Sequence, residues 1–243
     1  MEAKKTRKII FTLIIAAVLI FSLVLFLNSQ RMLKDQALAP FSEEVASLAD
    51  AENKQSYVAV NMPVIKENDF VSARREGGLD IIVYEDYSDI FSADLALSLA
   101  RAQADFSDDV DIAFRPFDVN NSSLSSQSAL AVRCAADKEQ GMAFRDRLFQ
   151  AVRNKQLSAE VFSLWAEELG LNKEDFSACL TNLDKKGNIE EVIAAADNFS
   201  VYGAPTVFVG EEMLVGARPY ESFTDSNGDE IEGLKQVIER QLK

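Results

Sequence analysis

A chain of 243 residues that is 48% hydrophobic holds enough apolar material for one ordinary domain with an appendage. Its net charge of −14 argues against nucleic acid as a partner, because an acidic surface gains nothing from approaching phosphate. Histidine is absent, which removes Ser-His-Asp and Cys-His nucleophilic sites, histidine zinc ligation and the usual near-neutral proton shuttle; the two cysteines, Cys134 and Cys179, stand too far apart for a CxxC redox or zinc motif.

Residues 1–8 carry Lys4, Lys5, Arg7 and Lys8 against Glu2, and the nineteen uncharged residues from Ile9 to Leu27 are long enough for a transmembrane helix. The run exceeds a usual signal-peptide core, and the following NSQRMLKDQ lacks a small-x-small cleavage site. Membrane lipid is therefore an expected partner through Ile9 to Leu27. The basic flank predicts a single-pass protein of the cell membrane, with its N-terminus cytoplasmic and its C-terminal domain extracytoplasmic. Residues 28–56 form a polar stalk in which Pro40 interrupts, and Ser42 with Glu43 and Glu44 suits a helix start. Phe41, Val45 and Leu48 share a face there, as in a spacer helix leaning on the domain or a partner-binding one.

The domain proper runs over 57–243. Tyr57 to Ile65 reads as an edge strand, and Leu79 to Tyr84 is a nearly continuous apolar run of the kind buried on both faces. A helix is expected from Ser88 to Phe106 with Ile90, Phe91, Leu95, Leu97 and Leu99 among its apolar positions, then a strand over Val110 to Phe117. Strand, helix, strand implies a parallel pair joined by a crossover.

From 124 to 198 the periodicity is helical throughout. Phe162, Trp165 and Leu169 repeat at helical spacing, Gly170 ends that helix, and Asn172 with Asp175 begins the next, which contains Phe176, Cys179 and Leu180. A further helix turns Ile189, Val192, Ile193 and Ala196 inward. Val207 to Gly210 and Met213 to Gly216 read as a hairpin, and Gly233 to Leu242 as a closing helix. Asp225, Asn227 and Asp229 alternate as in a calcium loop, but Glu230 stands where an EF-hand needs glycine and Gln236 where it needs a bidentate glutamate. They are a weak metal candidate at most, a solvated turn being the plainer reading, and no metal or other cofactor is expected.

The resulting α/β order is βαβ, a helical insertion, then ββα. It resembles the thioredoxin fold as elaborated in the DsbA-like thiol-disulfide oxidoreductases, including their membrane-anchored forms, over residues 79–223. Tyr84, Asp86 and Tyr87 match the short aromatic and acidic stretch that precedes the family's CPxC motif. Gly203, Ala204, Pro205 and Thr206 match its cis-proline loop, and GARPYESF from Gly216 to Phe223 is similar to the segment leading into its last helix. Ala131 to Ala136 and Phe176 to Leu180 match two stretches whose cysteines, in some members, form a structural disulfide. The resemblance thus implies a Cys134–Cys179 bridge, with two reduced buried cysteines or a shuttling pair as the other readings.

The departures bear on function. The match sets Asp89, Ile90, Phe91 and Ser92 against the four CPxC positions, and Val83 against the family's buried acid. A thiolate at the helix start and a resolving thiol one turn on are what the chemistry needs; a carboxylate and a hydroxyl supply neither. Ser88 or Asp89 reads most simply as a helix cap, and a Ser92 nucleophile with an Asp89 base has no histidine or neighbouring lysine to support it. The remaining role is binding: in the family, the groove between this helix start and the cis-proline loop takes extended peptides, which here implicates Asp89, Ile90, Phe91, Ser92, Ala204, Pro205 and Thr206. The expectation is a redox-inactive binding, chaperone-like or scaffolding subunit of an envelope complex, with other envelope proteins or extended peptides as partners. The alternative is a thiol oxidoreductase working through Cys134 and Cys179.

Overall fold

The computed structural model describes residues 61–75 and 77–243. The apolar run Ile9 to Leu27, the stalk and the first part of the expected Tyr57 to Ile65 strand lie outside these residues. Among the described residues no helix is long and apolar enough to cross a membrane.

Strands β2 (Leu79–Glu85) and β3 (Val110–Pro116) run parallel in register from Leu79 opposite Val110 to Glu85 opposite Pro116. Helix α1 (Ile90–Asp105) makes the crossover between them. The short edge strand β1 (Phe70–Val71) lies antiparallel to β3. On the other side β4 (Thr206–Val209) is antiparallel to β2, and β5 (Glu212–Val215) to β4. The sheet order is therefore β1-β3-β2-β4-β5.

The described part of the expected Tyr57 to Ile65 strand, residues 61–65, is not a strand. Pro63 has no amide hydrogen to offer a ladder, and the Val64 carbonyl instead accepts a hydrogen bond from Arg115 Nη2 at 2.7 Å. The two-residue strand at Phe70 takes the edge, with its ring against Phe114.

β2 is buried on both faces, and its alternation assigns each side chain to a layer. Ile81 and Val83 pack with Leu95 and Leu99 of α1 and with Leu234, Val237 and Ile238 of the last helix, α7 (Leu234–Gln241). Ile82 and Tyr84 face the opposite way, toward Ala113, Ala196, Val201 and Phe208. This two-sided burial is why the strand reads as a continuous apolar run.

The insertion between β3 and β4 contributes α2 (Ser123–Ala136), α3 (Gly141–Arg153), α4 (Phe162–Glu168), α5 (Lys173–Cys179) and α6 (Leu183–Ala195). It has its own core around Phe144, whose ring meets Phe162, Trp165 and Phe176. Short polar side chains cap three of these helices, α2 through Ser122 and α5 and α6 through asparagines. Asn172 Oδ1 accepts from Asp175 N at 2.8 Å, and Asn182 Oδ1 from Lys185 N at 3.0 Å. Gly170, at φ +80°, turns the chain out of α4. Gly141 is required for a different reason: a Cβ there would lie 2.6 Å from the Phe70 ring and 2.8 Å from Ala136.

A second small hairpin, β6 (Phe223–Thr224) with β7 (Glu230–Ile231), surrounds the Asp225 to Asp229 turn. Here Asp225 Oδ1 accepts from the backbone amides of Asn227 and Asp229 at 2.8 and 2.9 Å. That oxygen closes an Asx turn, the solvated-turn reading of these residues.

Candidate functional site

The end of β2 and the start of β4 are neighbours, because Tyr84 pairs with Thr206. The loop that leaves β2 and the loop that enters β4 therefore meet at one end of the sheet. The first carries Asp86 to Asp89 into α1; the second carries the Ala204–Pro205 peptide bond, which is cis. Thr206 Oγ1 donates to the Gly203 carbonyl at 2.8 Å and holds this second loop closed on itself.

Asp89 is the N-cap of α1: its backbone is extended and its Oδ2 accepts from Ser92 N at 2.8 Å. The carboxylate thus satisfies a free amide at the positive end of the helix. Ser92 lies one turn further on and is buried, with Oγ accepting from Asp86 N at 3.1 Å. Both side chains are engaged with backbone. Neither faces a base, and the pair has no group that can exchange electrons. The two residues between them are the exposed ones, Ile90 at 42% and Phe91 at 60%, and Tyr202 at 80% stands in the loop before Pro205. Of the five apolar positions expected inside α1, only Leu95 and Leu99 are buried, while Ile90, Phe91 and Leu97 face outward.

Two buried acids beneath the loop carry more of the architecture than Asp89 and Ser92 do. Asp86 takes four hydrogen bonds. Its Oδ1 accepts from Ser88 N at 2.8 Å, Ser88 Oγ at 2.7 Å and Ser125 Oγ at 2.8 Å, and its Oδ2 accepts from Val119 N at 3.1 Å. The site loop is thereby tied to the start of α2. Glu85, at the last position of β2, makes a bidentate pair with Arg145 of α3, both contacts at 2.6 Å and both side chains buried. The Arg145 guanidinium also lies 4.2 Å from the Phe114 ring centre and 4.8 Å from that of Phe149. Burial pushes the Glu85 carboxyl up, while Arg145 and the Tyr87 hydroxyl pull it down. The same burial lifts the Tyr87 hydroxyl well above its ordinary value.

This pair escapes a reading of local pattern, although one signal is present. Arg145 sits four residues before Phe149 and next to Phe144 on the apolar stripe of α3, where a lone cation needs a buried partner. Val83 is wholly buried in the apolar core.

The remaining site candidates lie elsewhere. Cys134 and Cys179 are joined by a disulfide that links α2 to the end of α5 within the helical insertion. The Asp225 turn belongs to the β6–β7 hairpin.

An expected result tests the cap directly. Asp89→Ala lowers stability by about 1 kcal/mol because one helix amide loses its acceptor, whereas Asp89→Asn stays within a few tenths of wild type. Urea denaturation curves followed by circular dichroism distinguish the two variants.

Comparison with known proteins agrees with this architecture. The family model for the DSBA-like thioredoxin domain matches residues 81–226. No curated protein matches the sequence. Among solved structures, oxidised BdbD from Bacillus subtilis superposes with a TM-score of 0.62 at 16% identity, covering 76% of this chain and 98% of its own. The thiol-disulfide exchange protein alpha-DsbA2 from Wolbachia pipientis gives 0.57 at 19% identity, over 72% of this chain and 88% of its own. The catalytic domain of Proteus mirabilis ScsC gives 0.55 at 17% identity, over 73% and 90%. At these identities the structural likeness speaks for the fold, and the family match spans more than half of the sequence. The chain belongs to the DSBA-like thioredoxin domain family.

Proposed function

We propose that this protein is a membrane-anchored, extracytoplasmic member of the family that has given up thiol chemistry at the CxxC position and serves as a binding, chaperone-like or scaffolding subunit. The observation that carries this reading is the fate of the two motif positions. Asp89 is used for the helix cap, Ser92 is buried against the Asp86 amide, and the exposed groups between them, Ile90 and Phe91, are apolar, with exposed Tyr202 in the loop before Pro205. Such a surface suits an extended peptide better than a redox partner. The positively flanked apolar run before the domain supports the anchor and its orientation.

The positions of the two sulfurs support the same reading. Cys134 is buried within α2, and Cys179 is the last residue of α5, at the negative end of a helix, where a thiolate is disfavoured. A nucleophilic cysteine wants the opposite end.

The test is insulin reduction and dithiol oxidation by the full-length protein. Wild type is expected to run at the uncatalysed rate. Asp89→Cys combined with Ser92→Cys is expected to form a second disulfide by thiol trapping and to catalyse insulin reduction. Catalysis by wild type that persists after Cys134→Ser and Cys179→Ser would overturn the proposal. Catalysis that disappears with those substitutions would favour an oxidoreductase working through Cys134 and Cys179. For the binding role, a photo-crosslinking residue placed at Phe91 should capture envelope proteins that the same residue at exposed Leu183 does not.

A further inference from the structure

A cleft of about 540 Å³ opens between α2, α6 and the β1–β3 edge of the sheet, within the size range of small-molecule sites. Its walls are mixed: Phe70, Phe114, Val132, Ile189 and Val192 give it an apolar stretch, and Asn68 and Asn188 stand among the polar residues beside them. Lys66, Arg133 and Lys185 also line it and bring cations to the same space.

The neighbouring carboxylates are already committed. Asp69 is bound to Arg115, with both oxygens within 3.1 Å of the guanidinium, and one of them also accepts from the Lys66 amide at 2.7 Å. Asp137 is shared by Arg133, at 3.2 Å, and Lys185. Exposed Glu191 makes no ion pair among the described residues, and neither does the Lys66 ammonium. Four cations, with Arg115 counted, thus face three carboxylates in a chain whose net charge is −14. A cleft that sets an apolar stretch beside a surplus of positive charge is complementary to a ligand that pairs a hydrophobic body with an acidic group.

We propose that this cleft binds a small organic anion, an aromatic or aliphatic body bearing one carboxylate. The carboxylate lies against Lys66 and the Arg133–Lys185 pair, and the body fills the space between Phe114 and α6. Binding displaces water from the apolar stretch of the wall and gives Lys66 a counter-charge. Tyr87 and Pro116 also line the cleft, so it backs onto the loop that follows β2. The site is separate from the Phe91 and Tyr202 surface and stands whether or not that surface binds peptides.

The test is calorimetric titration of the full-length protein in nanodiscs with 2-naphthoate, against empty nanodiscs and against neutral 2-naphthamide. Saturable one-to-one binding of the acid is expected, about tenfold tighter than the amide, as one charge-assisted contact provides. Val192→Trp fills the chamber and should abolish binding while the thermal unfolding curve stays cooperative. Lys66→Gln changes an exposed side chain; it should weaken the acid several-fold and leave the amide unchanged. Absence of saturation, equal affinity for acid and amide, or binding indifferent to both substitutions would overturn the proposal.

Discussion

Glu85→Ala and Arg145→Ala are each expected to destabilise the protein by about 3–5 kcal/mol, the cost of leaving one buried charge without its partner. Both side chains are almost wholly removed from water, and each satisfies the other through two contacts of 2.6 Å, so no solvent stands ready to replace a missing partner. Glu85→Leu combined with Arg145→Met should recover most of the loss, because apolar groups of similar volume need no desolvation and the Phe114 and Phe149 rings remain to pack against. The sign of the pH dependence follows from the raised Glu85 carboxyl. The native state holds that proton more tightly than the unfolded chain, so this group's contribution is full below the ordinary glutamate range. It falls as pH rises from that range toward the folded value. Glu85→Gln lacks the titration and should therefore close part of its stability gap to wild type as pH rises through and above the ordinary glutamate range. Urea midpoints across that range measure it; a gap that widens with pH would reverse the assignment of burial as the dominant influence on Glu85.

The sheet and helical insertion were legible in the sequence wherever one local pattern decided the outcome. β2 and β3 announce themselves because burial on both faces leaves an unbroken apolar run, and α5 because Asn172, Asp175 and Phe176 write cap and core within five residues. Residues 61–65 depart from the expected strand for one reason legible nearby, the missing amide hydrogen of Pro63, and one that is not: Arg115 captures the Val64 carbonyl across 51 residues. The outward turn of Ile90 and Phe91 has a similar origin. Position along a helix sets a face, but the neighbours decide whether that face is covered, and these residues lie at the helix start beside a loop end rather than over the sheet. The cap at Asp89 was readable from residue type. Ser92's bond to the Asp86 amide was not, since it depends on how tightly the loop turns back over the first turn of α1.

Removing the bridge between Cys134 and Cys179 should cost about 4 kcal/mol, the expectation for releasing a closed loop of this length in the unfolded chain. The bridge spans 45 residues, and within them lie α3, α4 and the aromatic cluster around Phe144. Those helices owe their position to packing with α2 and α5, the two elements that the sulfurs join. Opening the bridge lets the loop sample far more arrangements when unfolded, while the packed state keeps the same rings and caps. Cys134→Ser with Cys179→Ser should therefore keep the native circular dichroism spectrum and lower the urea midpoint. Wild type unfolded under strong reductant should fall to the same midpoint as the double variant. Cys134 is buried, so an external thiolate meets the bridge from the side of half-exposed Cys179. Labelling of the native protein under mild reductant is accordingly expected to be slow and to accelerate once urea loosens the insertion. Rapid labelling in native buffer with no change in stability would mark the bridge as an exchanging redox pair, and the protein's chemistry would then have to be sought in the insertion rather than at the start of α1.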